Sequence, residues 1–190
     1  MKIGLYFGSF NPVHVGHLII AELIANNSGL DQVWMVVSPQ NPLKKSASLL
    51  NEYDRLNLVN IAIEGNDKIR ASDIEFKLPK PSYTIDTLVY LGEKYPDYEF
   101  VVIIGSDSYH NMHKWKNYEI LKKNYRFIIY ERPAFPVDKH TLPPNWKLLL
   151  APLLEISSTY IRTQIKAGKS IKYLVTEPVR QEIERNGYYL

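Results

Sequence analysis

Cysteine is absent from this chain of 190 residues. Without thiols the protein can form no disulfide bond, thiolate metal site or cysteine nucleophile. Its chemistry must therefore rely on His, Ser, Thr, Lys, Arg, carboxylates or a bound ion. The sequence also lacks the run of about 20 apolar residues that a membrane span needs, and its first residues show no signal-peptide pattern. We expect a cytoplasmic protein with no membrane partner.

Blocks of like charge are absent as well. The formal net charge is only +3, and no stretch carries five or six charges of one sign. Neither a nucleic-acid-binding tail nor a basic stripe interleaved with aromatic residues is indicated, so we expect no nucleic-acid partner. The small positive balance suits small anionic ligands instead.

What the sequence does contain is an alternation of short apolar runs and helical segments. Its composition, 45% hydrophobic and 23% charged, is typical of a globular protein, and we treat residues 1–190 as one domain. The apolar runs predict six strands, at residues 3–7, 32–38, within 68–78, 100–104, 126–131 and 146–151. Helices between them predict an α/β fold with a doubly wound, mostly parallel sheet and helices on both faces.

Several residues are expected to mark helix ends. Asn51 resembles an N-cap for the helix after the second strand, and Ser82 or Thr84 can cap the next one. Pro178 opens a last helix that runs to Gly187.

In such a sheet, the loops at the carboxyl ends of the strands converge on one cleft. The loops that contain Gly8, Lys44, Gly105 and Ser157 follow the first, second, fourth and sixth predicted strands. Residues distant in sequence are therefore expected to meet in one site.

The loop after the first strand reads G-S-F-N-P-V-H-V-G-H and leads into a helix. Its glycine spacing fits neither a dinucleotide-binding loop nor a Walker loop. A helix start attracts phosphate, His14 and His17 add two imidazoles, and Gly16 leaves room for a phosphate to approach. Helix capping or filling of a polar gap is an alternative role for these histidines. A zinc site is a third option, although no further ligand lies nearby in the sequence.

The segment I-S-S-T-Y-I-R begins another helix near the end of the chain. Ser157, Ser158 and Thr159 offer hydroxyl groups at the helix start, and Arg162 follows one turn later, which suits a polyphosphate. Simple N-capping by Ser157 or Ser158 is the alternative. Two anion sites predict either one long anion, such as a triphosphate, or two phosphorylated substrates.

Together these two motifs closely resemble the nucleotidyltransferase superfamily with the H-x-G-H signature, in particular the bacterial nicotinate mononucleotide adenylyltransferases. The resemblance extends over nearly the whole chain and includes P-Q-N-P-L-K-K, S-Y-T-I-D-T-L, G-S-D-S with Trp115 after it, and E-R-P. It implies a Rossmann-like fold and the reaction of ATP with nicotinate mononucleotide to give deamido-NAD and pyrophosphate. It also implies Mg²⁺, which we expect on the ATP phosphates and not in a metal site of the protein.

The resemblance further implies roles for individual residues. Those implied in catalysis are His14, His17, Lys44 and Arg162. Those implied in ATP binding are Gly8, Ser9, Phe10, His17, Gly105, Asp107, Ile156, Ser157, Ser158, Thr159 and Arg162. Those implied in binding nicotinate mononucleotide are Lys44, Thr84, Trp115, Lys116 and Arg132. Trp115 would stack on the pyridine ring, and the backbone amides of Thr84 and Lys116 would meet the nicotinate carboxylate. Leu43 stands where the family usually has a histidine before the loop lysine.

The implied reaction suits a chain without an activated nucleophile. A phosphate monoester is mostly ionised near pH 7, because its second pKa is about 6, so it can attack the α-phosphorus of ATP without a general base. Positioning and charge neutralisation are then the tasks of the protein. The alternatives are a related adenylyl- or cytidylyltransferase, such as one acting on pantetheine phosphate, and a catalytically silent nucleotide-binding module. A homo-oligomer is left open.

Overall fold

The computed structural model describes residues 1–40, 49–152 and 155–190. The central sheet of the described chain has six strands: β1 (Lys2–Gly8), β2 (Gln32–Val37), β3 (Ile69–Ser72), β4 (Glu99–Gly105), β5 (Arg126–Tyr130) and β6 (Lys147–Leu149). All neighbouring strands pair in parallel, in the order β3-β2-β1-β4-β5-β6. The predicted Rossmann-like, doubly wound sheet is confirmed, and its order reverses between β1 and β4.

Helices follow most of the strands. The described residues form seven α-helices: α1 (Val15–Asn27), α2 (Glu52–Ala62), α3 (Thr84–Lys94), α4 (Ser106–His110), α5 (Tyr118–Asn124), α6 (Ser158–Lys166) and α7 (Glu177–Asn186). Short 3-10 helices occur at Ile74–Lys77, Met112–Lys114 and Lys139–Thr141. Within these ranges, no helix combines the length and apolar character that a membrane crossing requires.

The two faces of the sheet carry separate apolar cores, because successive side chains of a strand point to opposite faces. In β4, Val101 and Ile103 lie in one core with residues of α1, α2, α6 and α7. Val102 and Ile104 lie in the other core with residues of α3 and α5. Burial on both faces explains why the strands appear in the sequence as nearly continuous apolar runs.

The capping residues predicted from the sequence are confirmed at one helix and not at another. Asn51 caps α2 through its side chain, as predicted. The prediction that Ser82 or Thr84 caps α3 is wrong, because Tyr83 occupies the N-cap position and makes no side-chain capping bond. The hydroxyl of Ser82 instead donates to the carboxylate of Glu75, at 2.8 Å.

Candidate active site

The loop between β1 and α1 begins at the carboxyl edge of the sheet, beside the reversal of strand order. Phe10 turns this loop with a φ of 44°, and its side chain is only 1% exposed. A Cβ on Gly8 would lie 2.7 Å from the ring of Phe10. Glycine at this position therefore allows the ring of Phe10 to pack against the backbone of the loop. Ser9, which is predicted to contact ATP, is half-buried, and its carbonyl oxygen accepts Nη1 of Arg55 at 2.6 Å.

His14 and His17 form one unit at the start of α1. Their rings stack with centroids 3.6 Å apart. The backbone N–H of His14 donates to Nδ1 of His17 at 3.2 Å, which leaves Nε2 as the N–H donor of a neutral His17. A Cβ on Gly16 would lie 3.1 Å from the ring of His14. The room that Gly16 leaves, predicted to admit a phosphate, is thus taken by this ring.

Burial controls the charge of His14. Its side chain is 6% exposed, and burial together with the positive charge of Arg132 lowers its pKa from 6.5 to about 4. At pH 7 the ring is therefore neutral. A phosphate placed beside it would favour the protonated form and raise this pKa.

The start of α6 is hydrogen-bonded directly to the β1–α1 loop. The hydroxyl of Ser158 donates to the carbonyl oxygen of Pro12 at 2.9 Å. Nη1 of Arg162 donates to the carbonyl oxygen of Asn11 at 2.8 Å. The structure thus brings the two predicted anion motifs into contact, although about 150 residues separate them in sequence.

The other residues of the α6 motif have defined places. Ser157 caps the helix, since its hydroxyl oxygen accepts the backbone N–H of Tyr160 at 3.2 Å. Nη2 of Arg162 donates to the hydroxyl of Thr159 at 3.4 Å. Ile156 lies against α1, with its Cβ 3.9 Å from where a Cβ on Gly16 would be. Capping, the alternative weighed for Ser157, therefore operates within the same motif that contacts the first loop.

The ends of β4 and β5 are joined by an ion pair. Nε of Arg132 lies 3.2 Å from Oδ1 of Asp107, and Nη2 of Arg132 donates to the hydroxyl of Tyr130 at 3.1 Å. A Cβ on Gly105 would overlap the carboxylate of Asp107 and lie 3.0 Å from Arg132. Glycine is therefore what permits this pairing. Arg132, which is predicted to bind the mononucleotide, thus forms an ion pair with Asp107, which is predicted to bind ATP. The charge of Arg132 also lowers the pKa of His14.

The segment that follows the Met112–Lys114 turn contacts the start of α3. Thr84 is the first residue of α3, and the N–H groups of a first helical turn have no acceptor within the helix. Nζ of Lys116 donates to both carboxylate oxygens of Asp86, at 2.9 and 2.8 Å, and lies 5.0 Å from the ring centroid of Tyr83. Trp115 is partly buried in the same core as Tyr83. The structure thus brings the Trp115 and Lys116 segment to the helix end where Thr84 lies.

Arg55 was not predicted from the sequence, yet its buried side chain organises the loops of this edge. Its guanidinium, 0% exposed, donates at 2.6 to 3.2 Å to the carbonyl oxygens of Ser9, Ser38, Pro39 and Leu50. It therefore joins the loop after β1 to the chain on both sides of Lys44. Lys44 and Leu43 themselves lie outside the described residues. A sign of Arg55 in the sequence is its spacing from the buried Leu58 and Val59 on α2.

Glu75 is a second buried acidic or basic residue at this edge of the sheet that the sequence does not predict. It is 2% exposed, and its carboxylate accepts the hydroxyls of Ser82 at 2.8 Å and Thr87 at 2.9 Å. Burial raises the pKa of Glu75, whereas hydrogen bonds from the hydroxyls of Ser82, Ser38 and Thr87 oppose the rise. No motif in the sequence singles out this residue.

Known proteins resemble this chain in both sequence and architecture. A family model described as cytidylyltransferase-like matches residues 5–164. A probable nicotinate-nucleotide adenylyltransferase of Cytophaga hutchinsonii is 54% identical over 189 residues, which cover 100% of this chain and 98% of that protein. One from Flavobacterium psychrophilum is 50% identical over 191 residues, covering 100% and 99%. The solved structure of Plasmodium falciparum nicotinic acid mononucleotide adenylyltransferase complexed with NaAD matches with a TM-score of 0.86 and 26% identity, covering 99% and 97%.

Proposed function

The chain belongs to the cytidylyltransferase-like family, among the nicotinate-nucleotide adenylyltransferases, and from this membership we propose its reaction and the roles of its residues. It transfers AMP from ATP to the 5′-phosphate of nicotinate mononucleotide and releases deamido-NAD and pyrophosphate. The observation that carries this proposal is the direct bonding of α6 to the β1–α1 loop. Two anion-binding helix starts at one place suit a triphosphate.

On the ATP side, we assign the phosphates to the cleft between the starts of α1 and α6. Both helices are long enough to carry a useful dipole, with 13 and 9 residues, and their N-terminal ends favour negative charge. The groups assigned to the phosphates are the side chains of His14, His17, Ser157, Thr159 and Arg162 and the backbone of Gly8, Ser9 and Phe10. Ser158 holds α6 against the loop, Ile156 packs beside Gly16 of α1, and Gly105 and Asp107 are assigned to the adenosine side.

On the mononucleotide side, the start of α3 supports binding of the nicotinate carboxylate. The first-turn N–H of Thr84 and the backbone N–H of Lys116 are assigned to this carboxylate, and the ring of Trp115 to the pyridine. The side chain of Lys116 is engaged with Asp86, so its proposed contact is made by the backbone. Lys44 and Arg132 are assigned to phosphate.

The transfer requires one bond to form and one to break. An oxygen of the mononucleotide 5′-phosphate attacks the α-phosphorus of ATP, and the bond from this phosphorus to the bridging oxygen of pyrophosphate breaks. The attacking phosphate is already ionised near pH 7, so no residue must remove a proton. His17 and Arg162 donate hydrogen bonds where negative charge builds up on the leaving pyrophosphate, and neutral His14 adds a further hydrogen-bonding group.

Mg²⁺ is expected to accompany ATP. No group of three or more His or acidic side chains in the described ranges is arranged to hold a metal ion. At nucleotide sites Mg²⁺ is commonly held by phosphate oxygens, and here it would neutralise part of their charge. We assign it no step. A cytoplasmic location and the option of a homo-oligomer stay predictions from the sequence.

A substrate comparison tests the proposed function. The purified protein is incubated with ATP, Mg²⁺ and one of three acceptors: nicotinate mononucleotide, nicotinamide mononucleotide or pantetheine phosphate. We expect pyrophosphate release to be fastest with nicotinate mononucleotide and deamido-NAD to appear in equal amount by chromatography. Turnover of pantetheine phosphate without turnover of nicotinate mononucleotide would show that the substrate is wrong.

A further inference from the structure

We propose that Glu75 is a positioning residue for the mononucleotide site, because its buried carboxylate fixes the first turn of α3 and joins it to the end of β2. This inference rests on the proposed function, since it concerns how Thr84 is held for the nicotinate carboxylate. Glu75 touches no substrate in this scheme and acts through the backbone of α3.

The two hydroxyls that Glu75 binds lie on either side of Thr84 in the chain. Oε2 accepts the hydroxyl of Ser82, two residues before Thr84, and Oε1 accepts that of Thr87, three residues after it. One carboxylate therefore holds both ends of the turn that presents the Thr84 amide. Ser82 is 7% exposed and Thr87 is 0% exposed, so water cannot readily replace either bond.

Ser38 links Glu75 to the ATP side of the site. The hydroxyl of Ser38 is hydrogen-bonded to Glu75. Its backbone N–H donates to the carbonyl oxygen of Gly8 at 2.9 Å, and its own carbonyl accepts Nη1 of Arg55 at 2.8 Å. The position of α3 is thus fixed relative to the loop that is assigned to the triphosphate. A fixed distance between the two substrates is what an in-line attack requires.

A positioning role and a purely electrostatic role predict opposite results. A negative charge near α3 opposes binding of the negatively charged nicotinate carboxylate, so removal of that charge alone would lower the KM for the mononucleotide. If Glu75 instead holds the Thr84 amide in place, its replacement misplaces that amide and raises the KM.

The test compares Glu75→Gln with Glu93→Gln, a matched change at an exposed residue of α3. Both proteins and the wild type are assayed for kcat and for the KM of each substrate, and their thermal unfolding is followed in parallel. We expect Glu75→Gln to raise the KM for nicotinate mononucleotide roughly tenfold, the effect of weakening one charge-assisted hydrogen bond. The KM for ATP should change far less, and Glu93→Gln should match the wild type.

Thr87→Val provides a second measurement if Glu75→Gln does not fold. It removes one of the hydroxyls and keeps the side-chain shape, so it should raise the same KM to a smaller extent. An unchanged or lowered KM for nicotinate mononucleotide in an active, folded variant would overturn the positioning role alone. Absence of turnover by the wild type would instead show that the proposed function fails, and this inference with it.

Discussion

The rings of His14 and His17 stack 3.6 Å apart, and the backbone N–H of His14 donates to Nδ1 of His17. This bond provides an acceptor for the backbone N–H of His14, the N-cap residue of α1, as the capping interpretation of the histidines predicts. It also fixes the proton of a neutral His17 on Nε2, the atom that a phosphate oxygen can accept from. Capping and phosphate binding are therefore compatible in one residue.

Replacement of His17 tests its role in the transition state. We expect His17→Ala to lower kcat roughly 100-fold, as is typical when one donor to a developing negative charge is removed. His113→Ala is the matched control, because His113 is exposed and is assigned no role in the site. Pyrophosphate release at saturating substrate measures both. A wild-type rate for His17→Ala would remove this histidine from the mechanism.

The lowered pKa of His14 makes stability depend on pH. The unfolded chain binds a proton at this residue below pH 6.5, whereas the folded protein does so only below about 4. The contribution of neutral His14 to the free energy of unfolding is thus fully present above pH 6.5 and is lost as the pH falls towards 4. The loss between pH 7 and pH 5 that is due to His14 is roughly 2 kcal/mol.

Urea unfolding at these two pH values can isolate this contribution. His14→Gln has no titrating group, so its unfolding free energy should fall less between pH 7 and pH 5 than that of the wild type. The difference between the two falls is the contribution of His14, and other titrating groups cancel. Equal falls in both proteins would contradict the lowered pKa.

Arg162 is expected to bind phosphate while it holds the β1–α1 loop. Its planar guanidinium can donate to Asn11 through Nη1 and present its remaining donors to phosphate, whereas a lysine ammonium cannot reproduce this geometry. We expect Arg162→Lys to lower kcat/KM for ATP roughly tenfold or more. Arg185→Lys, at an exposed residue of α7, is the control. Equal kcat/KM values for the two variants would refute the assignment.

Arg55 should contribute more to stability than an ordinary arginine. Arg55→Met leaves buried carbonyl oxygens without a donor, so we expect the free energy of unfolding to fall by about 3 kcal/mol. Arg70→Met, at an exposed residue of β3, should change it by less than about 0.5 kcal/mol. Urea unfolding measures both. Similar values for the two variants would mean that water replaces Arg55 at no cost.

The features that sequence could predict are those with a local pattern. The strand at Glu99–Gly105 is visible because both of its faces are buried, and the two anion motifs are visible because their residues are neighbours in the chain. The spacing of Arg55 from Leu58 and Val59 indicates only that it lies on the buried face of α2, and Glu75 has no local pattern. Arg55 binds backbone carbonyls, one of them 46 residues away, and any residue type supplies a carbonyl. Serine is a preferred residue type at helix N-caps, but the hydroxyl of Ser82 donates to the buried Glu75 instead.

The fate of labelled phosphorus tests the transfer of AMP most directly. Wild-type protein is given nicotinate mononucleotide with ATP labelled either at the α- or at the γ-phosphorus, and the products are separated. We predict that the α-label appears in deamido-NAD and the γ-label in pyrophosphate, in equal amounts. Transfer of the γ-label to the mononucleotide, or an α-label that stays with adenine nucleotides while pyrophosphate forms, would contradict adenylyl transfer to nicotinate mononucleotide.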